Sequence, residues 1–257
     1  MKIATWNVNE CVGITTDLNN QKTVKEINKD NIKEIINKIN EYDFDIICFQ
    51  EYPVYINDNV SLTKEIINNT KLKYYETYDT CKSFLFNGGR VGVAIFSKYE
   101  LNNVYKTLFN NPNMEKVSSS GEVYHSFDKP IIKADINYDN NKYTIITGHA
   151  IAFAPFNKSE FDYPKSYKPL EDLINNNMES NLIVLGDFNT EKIFELIPSI
   201  KDKVIDVVNM STTKDYYEGR GEVQMDYILI NKNLKYNNIE KIDNFSDHYI
   251  VLANIIK

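Results

Sequence analysis

The sequence predicts an α/β sandwich, and three observations carry that prediction. Apolar segments of strand length recur from end to end, only a few stretches have helical spacing, and no linker or repeat divides the chain. At 257 residues the chain exceeds the usual domain size, yet one two-sheet domain commonly reaches it, so residues 1–257 are read as a single domain. Hydrophobic residues make up 42% and aromatics 12%, led by 18 Tyr and 13 Phe, which is enough apolar area to fill a sandwich interior and excludes a disordered chain.

Lys2 to Val8 is the first strand, followed by a polar loop with Gly13. Val24, Ile27, Ile32, Ile35, Ile36 and Ile39 fall near helical spacing and mark an amphipathic helix ending by Asn40, its stripe a core face. Asp45 to Phe49 is a buried strand that delivers Gln50-Glu51, with Pro53 as its stop. A short helix over Leu62 to Asn69 precedes strands near Tyr74, over Lys82 to Phe86 and over Val91 to Phe96, the last two joined through Asn87-Gly88-Gly89 as a hairpin. Residues 107–122 read as a loop. Ile131 to Tyr138 and Tyr143 to Thr147 flank Asp139-Asn140-Asn141 as a second hairpin, after which comes Gly148-His149. A Pro-, Tyr- and Lys-rich stretch from Ala154 to Pro169 leads into a helix from about Leu170 to Met178. Leu182 to Leu185 is an apolar strand ending in a Gly186-Asp187 turn, and further strands run near Val204 to Val208, Tyr227 to Ile230 and Tyr249 to Ile255.

A formal charge of −7 leaves no pervasive basic face for gripping polyanions by counterion release. Part of the acidic excess can be local, because carboxylates clustered for a divalent cation count as negative in such a tally. Cys11, Cys48 and Cys81 are odd in number and widely spaced, which argues against a disulfide framework or a structural zinc. No run of 18 apolar residues occurs, and Met1 to Val8 lacks the apolar run of a signal peptide. The expectation is a cytoplasmic, monomeric protein with no transmembrane segment, secretion being left open.

Polar and acidic residues gather at the ends of these strands. Gly186-Asp187-Phe188-Asn189 follows one, Met225-Asp226-Tyr227 opens another, and Ser246-Asp247-His248 precedes the last. Thr5-Trp6-Asn7 ends the first, and Gln50-Glu51 ends the second. Each alone is compatible with an ordinary turn or strand-end polarity, since Asp and Asn favour turns in any case. An unpaired carboxylate at the start of a buried strand is costly, so Asp226 needs a partner, and His248 is the candidate. So many acids at strand ends, without a cation, would be unfavourable together.

In this order and at such strand ends, the motifs resemble the endonuclease/exonuclease/phosphatase superfamily, whose fold is shared by deoxyribonuclease I, exonuclease III, neutral sphingomyelinases, deadenylases and inositol polyphosphate 5-phosphatases. The resemblance spans residues 5 to 248. It implies a four-layer α/β/β/α sandwich of two packed mixed sheets flanked by helices, with the site at one edge. It further implies Glu51 as the principal ligand of Mg²⁺ or Mn²⁺, with Asn7 and Asp247 beside it, and Asn7 with Asn189 as donors to the phosphoryl oxygens. Asp187 and Asn189 resemble the residues that hold the attacking water and the phosphate, Asp226 the acid that orients His248, and His149 the second histidine. His149 resembles the deoxyribonuclease I, sphingomyelinase, deadenylase or 5-phosphatase branches rather than abasic-site endonucleases. In deoxyribonuclease I that histidine pairs with a glutamate, for which Glu76 is the nearest match. Lys129 stands either where an arginine contacts phosphate or as a solvated strand-edge lysine. Only Arg90 and Arg220 are present, a departure from the arginine-rich grip of deoxyribonuclease I-like chains.

The expected activity is Mg²⁺- or Mn²⁺-dependent hydrolysis of a phosphodiester, with a nuclease acting on nucleic acid as the first reading. A small-molecule or lipid phosphoesterase is the second, favoured by the acidic charge and the Tyr/Phe-rich segment from Phe153 to Tyr167. A catalytically silent partner-binding module is the alternative of another class.

Overall fold

Strands buried on both faces cannot alternate apolar and polar residues, and the longest apolar runs of this chain are of that kind. In the computed structural model, which describes residues 1–12, 28–55, 61–83, 89–214 and 221–256, they form two six-stranded sheets. The first contains β1 (Lys2–Asn7), β2 (Ile46–Tyr55), β3 (Tyr74–Lys82), β4 (Arg90–Ser97), β13 (Lys235–Ile242) and β14 (Ile250–Ile256). Their spatial order is β13-β14-β1-β2-β4-β3. The second contains β5 (Asn102–Leu108), β8 (Pro130–Tyr138), β9 (Asn141–His149), β10 (Asn181–Asp187), β11 (Val204–Asp206) and β12 (Asp226–Asn231). Here the order is β11-β12-β10-β9-β8-β5. Both sheets are mixed, because β1 runs parallel to β2 and β9 parallel to β10 while the other ladders are antiparallel. A small separate hairpin pairs β6 (Glu115–Val117) with β7 (Val123–His125).

Three apolar layers hold four layers of structure together. Ala4, Trp6, Ile47, Phe49 and Leu252 face outward from the first sheet and pack under α1 (Lys29–Tyr42) and α2 (Leu62–Asn69). Their strand neighbours Ile3, Ile46, Cys48, Val251 and Ala253 face inward and meet Ile145, Ile183, Leu185 and Ile228 of the second sheet. Leu182, Val184 and Leu229 leave the far side of that sheet and pack with α3 (Lys168–Asn176) and α4 (Ile193–Leu196). The result is the expected α/β/β/α sandwich.

Several elements differ from the sequence expectation. Val24 and Ile27 lie outside the described residues, and the helix runs from Lys29, capped by the Asn28 side chain, to Tyr42. Pro53 does not stop β2. The β1 neighbour reaches only to Gln50, so beyond it one edge of β2 is free of that ladder and a residue without an N–H is tolerated. Tyr74 and Lys82 belong to one strand, β3, and the tip of the hairpin expected at Asn87-Gly88 lies outside the described residues. Inside the stretch read as a loop are the end of β5 and all of β6, short or exposed strands with little apolar signal. β13, largely exposed, has the same weak signal.

Gly186 is not a turn residue but lies within β10, opposite Gly148 of β9. Its φ is +155°, and a Cβ there would stand 2.2 Å from the Gly148 carbonyl oxygen, so the two strands approach too closely for a side chain. The Asp139-Asn140 turn does form as expected, with φ of 49° and 58°, the left-handed pair that a tight hairpin requires.

Candidate active site

The ladders of the second sheet set three polar side chains in one row. Asp187 is in register with His149 on its parallel neighbour β9 and with Asp226 on its antiparallel neighbour β12. All three are buried at the same sheet edge. Asp187 Oδ2 accepts a 3.0 Å hydrogen bond from Asn7 Nδ2 at the end of β1, which joins the two sheets at this edge. One layer deeper, Thr5 Oγ1 donates to Gln50 Oε1 at 3.0 Å and Gln50 Nε2 donates to Thr147 Oγ1 at 3.3 Å, a second bridge between the sheets.

Glu51 reaches the same edge through a bulge. Between the pairs Phe49–Ala94 and Tyr52–Gly92, β2 carries Gln50 and Glu51 against Val93 alone. Phe49 and Tyr52 consequently both face the helix side. Glu51, with φ of 47°, turns to the other side and places Oε1 3.9 Å from His149 Nε2. Non-glycine residues enter this left-handed region rarely, and they concentrate where surrounding structure holds them for a functional purpose. Just after Asn7, Asn9, Glu10 and Cys11 have φ of 42°, 49° and 61°, a short left-handed turn. It is held in part by Asn9 N donating to Asn7 Oδ1 at 3.0 Å and by Asn31 Nδ2 donating to the Cys11 carbonyl at 2.9 Å.

The loop before β14 is fixed by Ser246. Its buried hydroxyl lies 2.7 Å from the Asn7 carbonyl and 3.1 Å from Asp247 Oδ1, donating to this pair, and it accepts from the His248 N–H at 3.4 Å. Its position beside Asp247 and His248 was visible in the sequence, but nothing there announced this bracing. Thr212 was likewise invisible: its Oγ1 accepts from the N–H groups of Met225 and Asp226, each at 3.0 Å, fixing the start of β12.

His248 places Nδ1 2.7 Å from Asp226 Oδ2 and Nε2 3.8 Å from Asp187 Oδ2. Among the described residues the other Asp226 oxygen, which is buried, has no hydrogen-bond partner. His149 places Nε2 3.6 Å from Asp187 Oδ2 and Nδ1 3.3 Å from Lys129 Nζ. An ammonium group only donates, so Nδ1 accepts and the proton of the neutral ring resides on Nε2. The structure thus brings Lys129 into the site. Glu76 it does not: that carboxylate pairs with Lys106 Nζ at 2.8 Å, while the side chain next to His149 Nδ1 is Lys129. Asn189, also in the left-handed region at φ 48°, donates its backbone N–H to Asp187 Oδ1 at 2.9 Å and its side-chain amide to the Ala150 carbonyl at 3.0 Å. Arg90 is engaged by Asp79 at 2.6 Å, and Arg220 lies outside the described residues.

Burial and mutual charge set the protonation of these groups. Burial, with the Asp226 charge assisting, pushes the Asp187 carboxyl up to about 7, against the pull of His248 and the hydrogen bonds from Asn7 and Asn189. Glu51 is raised, first by burial and also by the negative charge of Asp247, with Lys129 opposing. His149 is held well below the ordinary imidazole range by burial, then by Lys129 and His248. For His248 burial acts in the same direction, but Asp226 foremost, then Asp187 and Asp247, outweigh it and keep the ring charged well above that range. One neutral and one charged histidine therefore flank one carboxyl poised near neutrality.

Residues 4–248 match the model of the Endonuclease/Exonuclease/phosphatase family. Solved structures share the fold across essentially the whole chain. An endonuclease/exonuclease/phosphatase family protein from Leptotrichia buccalis C-1013-b is 19% identical, with a TM-score of 0.68 and 100% of each chain covered. The catalytic domain of human Nocturnin with bound sulfate is 16% identical, with a TM-score of 0.65, covering 100% of this chain and 93% of that one. A mannosyl-6-phosphatase from Bacteroides thetaiotaomicron VPI-5482 is 12% identical, with a TM-score of 0.61 and 100% of each chain covered. Among curated proteins none matches.

Proposed function

The chain belongs to the endonuclease/exonuclease/phosphatase family and is a hydrolase of phosphate esters, and from that premise we propose that it is a divalent-metal-dependent phosphodiesterase with residues 1–257 as one catalytic domain. The observation that carries this reading is the convergence on Asp187 Oδ2 of Asn7, His149 and His248, at 3.0, 3.6 and 3.8 Å.

Glu51, Asp247 and Asn7 offer hard oxygen donors of the kind Mg²⁺ or Mn²⁺ prefers, and the mutual repulsion of Glu51 and Asp247 is what a divalent cation between them would relieve. When bound, such an ion supplies charge neutralisation to the phosphate and the departing oxygen. Asp187, Asp226 and His248 also present donor atoms within 4.8 Å of one another. His248, however, is charged and already bonded to Asp226 through Nδ1, so it has no lone pair to offer a metal. We read that group as an Asp–His pair.

Asp187 positions the attacking water and takes one of its protons, for which a carboxyl titrating at about 7 is suited near neutral pH. The water oxygen bonds to phosphorus while the bond from phosphorus to the alcohol oxygen breaks. The charged His248 donates to the phosphoryl oxygens as negative charge builds there, and the Nε2–H of His149 donates from the other side. Asn7 and Asn189 orient Asp187 through their hydrogen bonds, and Lys129 fixes the His149 tautomer while facing the phosphate as a point charge. The proton needed by the departing alkoxide comes from solvent.

Nucleic acid is our first substrate class. A small phosphate ester is the second, and the net charge of −7 together with the engagement of Arg90 by Asp79 favours it over a tight duplex grip. The test is hydrolysis of plasmid, single-stranded oligonucleotide and a bis-aryl phosphodiester with Mg²⁺, Mn²⁺ or EDTA, using Asp187→Asn and Glu51→Gln as controls. Turnover that survives EDTA, or that both variants retain, overturns the proposal. A melting temperature that Mg²⁺ and Mn²⁺ raise in the wild type but not in Glu51→Gln supports the assigned ligand; saturation to about 100-fold over the dissociation constant is worth about 2.7 kcal/mol.

A further inference from the structure

Glu51 and Lys129 line both the site described above and a cleft of about 460 Å³ that opens beside it. One wall is the β6–β7 hairpin, whose cross-strand pair Lys116 and Tyr124 both face the cleft. A second wall is the turn Ala154–Phe156, with Phe156 half-buried against the core. Lys116 Nζ donates to the Pro155 carbonyl at 2.7 Å and ties the two walls together. Phe127 adds a third aromatic side chain to the lining.

We propose that this cleft is the subsite for an aromatic ring carried by the substrate, a nucleobase or an aryl group, lying against Tyr124 and Phe156 while its phosphate rests at Glu51 and Lys129. The cleft has the size of a small-molecule site. Aromatic faces accept any planar ring, and Lys116 and Lys129, in a lining that also carries Glu51, Ser118, His125 and Ser126, supply positive charge for an anionic ester. This inference rests on the phosphate-ester reading of the adjoining site and specifies the substrate class for it.

The experiment is calorimetric titration of the full chain, in Mg²⁺, with four non-hydrolysable ligands: methylphosphonate, phenylphosphonate, an adenosine 5′-phosphonate and octylphosphonate. The phenyl or adenosine ligand is expected to bind about tenfold tighter than methylphosphonate, and whichever is tighter identifies the source of the ring. In Tyr124→Ala and in Phe156→Ala that advantage is expected to shrink below about threefold. Phe156 touches the core, so its variant is checked by circular dichroism, whereas Tyr124 is 45% exposed and can be removed without touching the fold. Equal affinity for methyl and phenyl ligands, tightest binding of the octyl ligand, or an aromatic advantage intact in both variants overturns the subsite and leaves the phosphate site standing. Failure of every phosphonate to bind overturns both.

Discussion

Asp226 and His248 are joined at 2.7 Å through Oδ2 and Nδ1, with Asp226 fully enclosed and the far imidazole nitrogen directed at Asp187. Removing the charge of Asp226 while keeping its shape should therefore act through His248. Asp226→Asn is expected to lower kcat about 100-fold or more with little change in KM, a loss of transition-state stabilisation rather than of binding. His248, raised in the wild type chiefly by Asp226 against its own burial, should titrate lower in the variant, so its alkaline limb of activity moves toward neutral pH. Nuclear magnetic resonance titration of the ring reads this directly; an unmoved His248 pKa contradicts the pairing.

Asp187 makes the opposite demand on stability. Its carboxyl titrates near 3.8 when unfolded and at about 7 in the folded protein, so the folded state binds the proton more tightly. Below pH 3.8 both states are protonated and the group costs nothing; the cost grows as pH rises and is complete above about 7. Asp187→Asn should accordingly melt higher than the wild type in EDTA at pH 8, by an amount on the order of a few kcal/mol, while losing activity. The difference should vanish near pH 3.5. Calorimetry across that range checks it, and a variant less stable than wild type at pH 8 contradicts the assigned burial cost.

How much of this was legible in the sequence follows from where the signal resides. Asp187, Asp226 and His248 each adjoin an apolar run, and the run placed them at strand ends. The core strands and the amphipathic helix were legible for the same reason: one apolar periodicity each. Glu76 shows the limit, since a half-exposed strand acid looks the same whether it faces the site or, as here, Lys106 of the other sheet. Lys129 shows the converse, its proximity to His149 depending on a register between strands that no local pattern encodes. Pro53 and the exposed strands β5, β6 and β13 were misjudged because what permits them is the absence or presence of a neighbour.

Ser246 gives a prediction the motif did not suggest. Ser246→Ala removes the hydroxyl lying against the Asn7 carbonyl and Asp247, and leaves a buried carbonyl without that partner. The expected cost is about 1–3 kcal/mol in urea denaturation, with a fall in kcat of about tenfold because Asp247, His248 and Asn7 lose their common brace. Normal turnover in a destabilised protein would show that the brace serves the fold alone.

Gly186 marks a close approach between β9 and β10. Gly186→Ala forces a Cβ to within 2.2 Å of the Gly148 carbonyl at a φ of +155°, so β9 and β10 must separate just below Asp187 and His149. Loss of about 2–5 kcal/mol is expected from urea denaturation, the sum of overpacking and backbone strain. The conservative control is Gly121→Ala, where nothing lies within 4 Å of the added methyl and only the left-handed backbone resists.

The extra residue in β2 has a consequence for anyone transplanting this constellation. An ideal strand would send residue 51 to the face of Phe49, into the apolar layer beneath α1 and α2, where a carboxylate finds nothing to neutralise it. A scaffold chosen for matching strand ends alone would therefore bury the acid on the wrong side. The insertion has to be copied along with the side chain, and a single-residue deletion between Phe49 and Tyr52 should silence the enzyme while leaving both sheets able to close.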